Sequence, residues 1–381
     1  MNARILVGDC RETLKSLPDG SVQCCVTSPP YYGLRDYGHD GQLGLEPTPD
    51  EYVANLVAVF REVRRVLRDD GTVWLNLGDS YGGAAGNTRG DGAGGGKERG
   101  EKMFRSAIGR DKGGRPKDLL GIPWRVAFAL QADGWWLRSD IVWAKPNPMP
   151  ESVTDRPTKA HEYVFLLSKS QTYYYDADAI AEGIADSTRR IHSNPNVQPR
   201  AAALGGWKSD RGGHSGLTNG PSHIGDGTRN ARTVWTITTQ PYKENHFAVF
   251  PEELARRCIV AGTSQKGCCP ECGAPWERVV ERPDQIRRTA AIGAFERRDR
   301  DRPNGADLAN RAPAVTTGWR PTCDHEAEPV PCVVLDPFAG SGTVGAVAVG
   351  NGRAAVLCEL NAEYTDMARR RIGPMFVTVD P

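Results

Sequence analysis

An α/β fold built on a parallel sheet is the class this sequence predicts, and three observations carry the prediction. Short apolar runs end repeatedly in a polar residue or a turn, helical stretches of 3.6-residue period separate them, and the two stretches densest in chemistry-bearing residues each stand directly after such a run.

Arg4 to Asp9 reads as a short buried strand ending in an acid. Arg11 to Leu17 supplies a helical turn or two, and Pro18-Asp19-Gly20 is a turn signal. Val22 to Val26 is the second strand. From Glu51 to Leu67 apolar residues recur at Val53, Leu56, Val57, Phe60, Val63 and Leu67, a helix that Asp69-Asp70-Gly71 closes before a strand from Thr72 to Leu77. Leu119 to Ala132 is another helix, and Trp135 to Trp143 and Glu162 to Leu167 are strands around a proline-rich link. Pro251-Glu252-Glu253 opens a helix to about Val260, with acids in the first turn where the dipole favours them. The far end repeats the pattern: strand Val333 to Asp336, helix Val344 to Val349, strand Ala354 to Leu360, helix Tyr364 to Ile372.

The 381 residues allow two or three units and a sizeable core. Hydrophobic content of 39% and charged content of 25% describe a globular protein, and no apolar run approaches the length of a membrane span or a secretory leader. The net charge of +1 carries no argument about nucleic acid, so local charge must. Two segments supply it. Residues 82–117 are Gly-rich, and from Lys97 to Lys117 eight Lys/Arg stand against three Asp/Glu, a basic surface loop suited to phosphates or simply to solvent. Asp186 to Arg232 loses periodicity and sets seven Arg/Lys against three Asp, which suits a nucleic-acid recognition insert and equally an unstructured segment.

The ten cysteines are too scattered for a disulfide framework and indicate a reducing compartment. Cys269-Pro270-Glu271-Cys272-Gly273 is a C-x-x-C knuckle, with Cys268 able to replace Cys269, and Cys323-Asp324-His325 offers a second pair. Cys269, Cys272, Cys323 and His325 together make a closed four-ligand set for a structural zinc ion, and the charged, apolar-poor stretch between the pairs would gain its folding energy from the metal.

The first chemistry-bearing stretch is Thr27-Ser28-Pro29-Pro30-Tyr31-Tyr32, where two prolines take the chain rigidly out of the sheet. The Ser28 hydroxyl and the Pro29 carbonyl can accept N–H hydrogens from a planar amine, and Tyr31 offers a π-face. In the second, Val333-Val334-Leu335-Asp336-Pro337-Phe338-Ala339-Gly340-Ser341-Gly342, a strand enters a glycine-bearing turn at a helix start, where a ligand can approach the backbone. It lacks the full dinucleotide spacing and the Lys-Ser/Thr of a phosphate loop. Glu359 ends the next strand, where an acid can accept two hydrogen bonds from a ribose diol.

These two stretches resemble the cofactor site and the catalytic motif of amino-group DNA methyltransferases, the enzymes that act on N4 of cytosine or N6 of adenine. Asp336-Pro337-Phe338-Ala339-Gly340-Ser341-Gly342 with the following acid is similar to their S-adenosylmethionine site, and Ser28-Pro29-Pro30-Tyr31 to their catalytic motif. Trp143-Ala144-Lys145-Pro146-Asn147-Pro148 and His246-Phe247-Ala248-Val249-Phe250-Pro251 also resemble family segments. Catalytic stretch first and cofactor motif last corresponds to the β arrangement of that family. The resemblance implies a Rossmann-like S-adenosylmethionine-dependent methyltransferase fold in circularly permuted order. Residues 1–175 would be the catalytic half, 176–240 the target-recognition insert, 241–262 with 330–381 the cofactor half, and 263–329 the zinc-knuckle insertion.

By the same resemblance Asp336, Gly340 and Gly342 form the cofactor turn, Phe338 and Phe250 line the cofactor pocket, Glu359 holds the ribose, and Asp9 faces the adenine amino group unless it merely caps a turn. Double-stranded DNA in the cytoplasm is the implied substrate, with no membrane partner and with a cognate restriction endonuclease as a candidate partner. S-P-P-Y resembles the N4-cytosine members and D-P-P-Y is usual for N6-adenine, with exceptions both ways. A catalytically silent DNA-binding protein and an enzyme acting on RNA or protein are the rival readings. Methylation at C5 of cytosine would need a cysteine nucleophile, and Pro331-Cys332 enters a strand, where it is expected in the core.

Overall fold

Nine strands form one sheet, and its order joins the two ends of the chain. The computed structural model describes residues 3–83, 105–106, 113–183, 228–239, 251–281 and 315–380. The sheet strands are β1 (Ala3–Val7), β2 (Val22–Thr27), β3 (Leu67–Leu77), β4 (Trp136–Ala144), β5 (His161–Ser168), β6 (Val234–Thr236), β7 (Val333–Asp336), β8 (Ala354–Glu359) and β9 (Val377–Asp380), in the order β6-β4-β5-β3-β2-β7-β8-β1-β9. The helices are α1 (Pro49–Val66), α2 (Ile122–Ala132), α3 (Glu252–Gly262), α4 (Thr343–Gly350) and α5 (Ala362–Ile372). No described helix is long and apolar enough to cross a membrane.

The strands β3, β2, β7, β8 and β1 pair in parallel, so their carboxyl ends open at a common edge. Strand β8 pairs with β1 in the register Ala355↔Ala3 to Glu359↔Val7. The last α/β units therefore continue into the first, as a circular reading of the chain requires. The sheet carries one exception to parallel pairing: β5 runs antiparallel to both β3 and β4. An apolar run between two links carries no sign of its direction, which the chain's path through Lys145 to Ala160 decides.

A correction concerns Asp69-Asp70-Gly71. These residues do not end the helix but lie inside the 11-residue strand β3. Val22 pairs with Leu67 and Cys24 with Thr72, so residues 68–71 stand opposite Gln23 alone and bulge out of the ladder. Gly71 is required there, since a Cβ would stand 2.6 Å from Leu67 Cγ.

Both faces of the sheet are covered, which explains why β2 reads as a continuous apolar run. On one face Cys25, Val73 and Leu75 pack with Tyr52, Leu56 and Phe60 of α1 and Val126 and Leu130 of α2. On the other, α3 presses so close that a Cβ at Gly262 would lie 2.6 Å from Cys24 Sγ. Helix α1 begins where Thr48 Oγ1 accepts the Glu51 N–H at 3.2 Å, with Pro49 at the first helical position.

The chain divides into two compact units. The larger comprises residues 1–176, 232–277 and 321–381 and contains the whole sheet. The smaller comprises residues 177–231 and 278–320. Its described parts include the turn Asp178–Ile180, an antiparallel pair, Glu182–Gly183 with Thr228–Arg229, and all but Glu277 of a two-stranded sheet of Glu277–Glu281 with Val315–Arg320. Most of the basic stretches expected within 82–117 and 186–232 lies outside the described residues.

Candidate active site

The catalytic stretch and the cofactor turn meet at one hydrogen bond. Thr27, the last residue of β2, donates its hydroxyl to Asp336 Oδ1, the last residue of β7, at 2.6 Å across 309 positions of sequence. The same oxygen accepts the Phe338 N–H at 3.1 Å, which folds the turn back over the strand end. Burial raises the Asp336 carboxyl to about 6, with the Thr27 and Phe338 bonds opposing.

The turn continues across β8. Ala339 N–H donates to Cys358 O at 3.0 Å and Gly340 N–H to Glu359 Oε2 at 2.7 Å. Asn361 N–H donates to Glu359 Oε1 at 2.8 Å. Each Glu359 oxygen thus holds one amide and keeps a lone pair for a further donor. Burial raises this carboxyl to about 7, with the amides of Asn361 and Gly340 opposing. Gly342, at φ +73°, caps α4, and a Cβ there would lie 2.6 Å from the Ala368 Cβ of α5. Its glycine is explained by helix packing.

The catalytic stretch is fastened from both sides. Tyr52 of α1 donates to Pro30 O at 2.8 Å and Ser80 to Tyr32 O at 2.7 Å. Among the described residues no donor is bonded to the Pro29 carbonyl. The Tyr31 ring lies on the backbone of Gly78, where a Cβ would come within 2.5 Å of Tyr31 Cε2. Its hydroxyl donates to Glu162 Oε2 at 2.6 Å and lies 3.0 Å from Asn76 Oδ1. Ser28 Oγ is 3.3 Å from Asn76 Oδ1 and 3.4 Å from the Tyr31 hydroxyl. Asn76 Nδ2 donates to Glu162 Oε2 at 3.2 Å and to Tyr163 O at 3.1 Å. Lys145, at the end of β4, pairs with Glu162 Oε1 and lies 4.2 Å from the centroid of the Trp143 ring.

Ser28, Pro29, Pro30, Tyr31, Asp9, Asp336, Phe338, Gly340 and Glu359 all line a single cavity of about 810 Å³ at the carboxyl edge. The size suits a nucleoside-bearing ligand together with a second planar group. Phe250 lies outside the described residues. Asp9 reaches the cavity wall, yet its Oδ1 caps the turn from Cys10, accepting the Arg11 N–H at 2.8 Å, and its carboxylate pairs with the Arg11 guanidinium. Sequence reasoning missed Asn76 and Glu162. The signal was present in Asn76, a polar side chain with 1% exposure inside an apolar strand, because such a group must have partners.

Cys269, Cys272, Cys323 and His325 converge so that one ligand atom of each lies within 4.8 Å of all the others. Three sulfurs and an imidazole nitrogen are a donor set suited to zinc. The knuckle is built by backbone: Gly273 N–H donates to Cys269 O and Cys269 N–H to Ala274 O, both at 2.8 Å, with Gly273 at φ +70°. Amides of Cys272 and Glu271 pull the Cys269 thiol down to about 7. Cys268 instead turns inward, its backbone paired with Val330 and its Sγ 3.9 Å from Pro331 O. The knuckle rests on the amino ends of the strands, where Arg68 donates to Cys272 O, Gln23 Nε2 to Gly273 O at 3.4 Å and Val333 N–H to Gln23 Oε1 at 2.6 Å. It is therefore at the opposite sheet edge from the cavity. Cys332, 1% exposed with its Sγ 3.8 Å from Ser264 O, is a core residue at that same amino end.

A doubly covered α/β sheet with one reversed strand and paired sites at its carboxyl edge defines a Rossmann-like methyltransferase fold. The sequence of the DNA methylase family matches residues 22–269 and 331–370, and the chain belongs to that family of N4/N6 amino-group DNA methyltransferases, whose methyl donor is S-adenosylmethionine. It is 39% identical over 374 residues to type II methyltransferase M.SmaI of Serratia marcescens, covering 97% of this chain and 91% of that protein. It is 40% identical over 372 residues to type II methyltransferase M.Cfr9I of Citrobacter freundii, covering 97% and 87%. Among solved structures, the PvuII DNA methyltransferase (cytosine-N4-specific) superposes with a TM-score of 0.51 at 16% identity, covering 98% of this chain and 87% of that one, a likeness of fold.

Proposed function

We propose that the protein methylates the exocyclic N4 amino group of cytosine at a specific site in duplex DNA, with N6 of adenine as the alternative target. The observation that carries this reading is the Thr27–Asp336 hydrogen bond, which sets the amine-accepting stretch against the cofactor turn.

S-adenosylmethionine, when bound, supplies a methyl group activated on a sulfonium. The chain's part in holding it falls to the turn Asp336 to Gly340 and to Glu359, whose remaining lone pairs suit the ribose hydroxyls. Asp336 fixes the turn through Oδ1, which accepts from the Thr27 hydroxyl and from the Phe338 amide, and the residue lines the cavity. For Asp9 the Arg11 pairing supports a supporting role at the cavity wall more than direct recognition of the adenine.

An exocyclic amine is a poor nucleophile because its lone pair is delocalised into the ring. Ser28 Oγ and the Pro29 carbonyl would accept its two hydrogens and draw the nitrogen towards tetrahedral geometry. Holding both reactants in one cavity contributes several kcal/mol, on the order of the effective-molarity advantage of oriented groups. The base must leave the duplex to enter, and Tyr31 is the aromatic surface beside Ser28. The choice of cytosine rests on the serine that begins the S-P-P-Y motif, the form that resembles N4-cytosine members.

Cys269, Cys272, Cys323 and His325 are proposed to hold a structural zinc ion, since four protein ligands leave no open position. As its full-length relatives are type II methyltransferases, we assign the protein to the modification side of a restriction system in the cytoplasm, opposite a cognate endonuclease.

The test is transfer of a labelled methyl group to mixed-sequence duplex DNA, followed by nucleoside analysis. The expected product is N4-methylcytosine. N6-methyladenine would overturn the choice of base but keep the chemistry, and unlabelled DNA would overturn both.

A further inference from the structure

Glu162 is a partly buried carboxylate that none of the roles above employs. Its side chain is 13% exposed and that of its partner Lys145 17%. It is the end of a hydrogen-bonded path leading away from the place where the target amine is held: Ser28 Oγ, the Tyr31 hydroxyl at 3.4 Å, then Glu162 Oε2 at 2.6 Å. The branch through Asn76 is closed to protons, because an amide oxygen accepts a hydrogen bond but its nitrogen does not hand a proton on.

Methyl transfer creates a proton that must go somewhere. As the nitrogen–methyl bond forms and the sulfur–methyl bond breaks, the amino nitrogen takes the positive charge. The methylated amine then sheds one hydrogen, the N–H electron pair staying on nitrogen. We propose that Glu162, acting through the Tyr31 hydroxyl, receives this proton: the amine's proton passes to Ser28 Oγ, the Ser28 proton to Tyr31 Oη, and the Tyr31 proton to Glu162 Oε2. Charge balances, the sulfonium's positive charge ending as a proton on the carboxylate. The cationic methylated amine formed by the transfer is a strong acid, because losing its proton restores delocalisation of the lone pair into the ring, so even a carboxylate paired with Lys145 is an adequate acceptor. Burial, reinforced by Glu162, keeps the Tyr31 hydroxyl protonated, so the transfer through it is a concerted exchange with no tyrosinate. Lys145 holds the far oxygen of Glu162 and fixes which one faces Tyr31.

This inference rests on the amino-methylation reading, and the test separates the two. Single-turnover methyl transfer is measured at saturating S-adenosylmethionine and duplex DNA for the wild type, Glu162→Gln, Tyr31→Phe and the double variant. Glutamine keeps an acceptor for Tyr31 but takes no proton, and phenylalanine keeps the ring but cuts the path. Each single variant is expected to lose on the order of 10²-fold in rate, as for removal of a general base, with KM for cofactor and DNA within a few-fold of wild type. The double variant is expected to be no slower than the slower single one, because both break one path. A wild-type rate in either single variant, or losses that multiply, would overturn the relay and leave the methyltransferase reading standing. Should Glu162→Gln fail to fold, Tyr31→Phe alone decides the matter by the same criterion. A wild-type protein that methylates no amino group would remove the reading and the relay together.

Discussion

Gly78 and the two buried acids are the residues at which the site is most exposed to a single change. A methyl group at Gly78 would meet the Tyr31 ring at 2.5 Å, so Gly78→Ala must displace the ring from Glu162 and Asn76. The expected cost is about 1–3 kcal/mol of stability, the usual range for overpacking, with a larger loss of methyl transfer. Urea denaturation beside an activity assay would check both. Asp336 and Glu359 carry carboxyls raised from 3.8 to about 6 and from 4.5 to about 7 by burial. In the unfolded chain they lose protons at lower pH than in the folded one, so the ligand-free protein should lose stability as pH rises from about 4 to 7. For Asp336 the change is on the order of 3 kcal/mol. Asp336→Asn should flatten the slope of urea midpoint against pH over that window. At this scale the motif residues were legible because their chemistry lies in consecutive positions. Asn76 and Glu162 were not, because Asn76 stands singly in an apolar run, Glu162 opens a strand, and each gains its meaning from a neighbour on another strand.

The elements were legible wherever hydrophobic period and turn chemistry agreed. Helix α1 is the plain case, with Tyr52, Leu56, Phe60 and Val63 buried along one stripe. Its Thr48 cap predicts a loss of about 1 kcal/mol for Thr48→Ala, checked by thermal melting. Reading failed where local signals were overruled by pairing. Asp69-Asp70-Gly71 looks like a stop, yet its residues form a bulge that lets Arg68 reach Cys272 O on the knuckle. The direction of β5 depends on its two neighbours, and β9 is a four-residue edge strand too short for its alternation to register. The knuckle itself yields a prediction: the purified protein should carry zinc, and Cys323→Ser should lose it and lower the melting temperature. Because the knuckle sits at the amino edge of the sheet, kcat of the molecules still folded should stay near wild type.

At the scale of the molecule, the parallel pairing of β8 with β1 joins the last α/β units to the first in a continuous array. A chain that joins Asp380 to Ala3 and opens between Glu281 and Val315 should fold and retain methyl transfer. A linker of about ten flexible residues suffices to return along the four-residue strand β9. The permuted order could be read from the sequence because both motifs follow apolar runs, whereas the physical meeting of the two halves through Thr27 and Asp336 required the sheet order. The account's central claim is that one cavity receives both the cofactor and an extruded base. A crystal structure of the protein with S-adenosylhomocysteine and duplex DNA tests it most directly. It should show ribose hydroxyls at Glu359 and the amino group of an unstacked cytosine at Ser28 and the Pro29 carbonyl. A cofactor bound away from the Asp336–Gly340 turn, or a bound duplex whose base enters some other part of the protein, would contradict it.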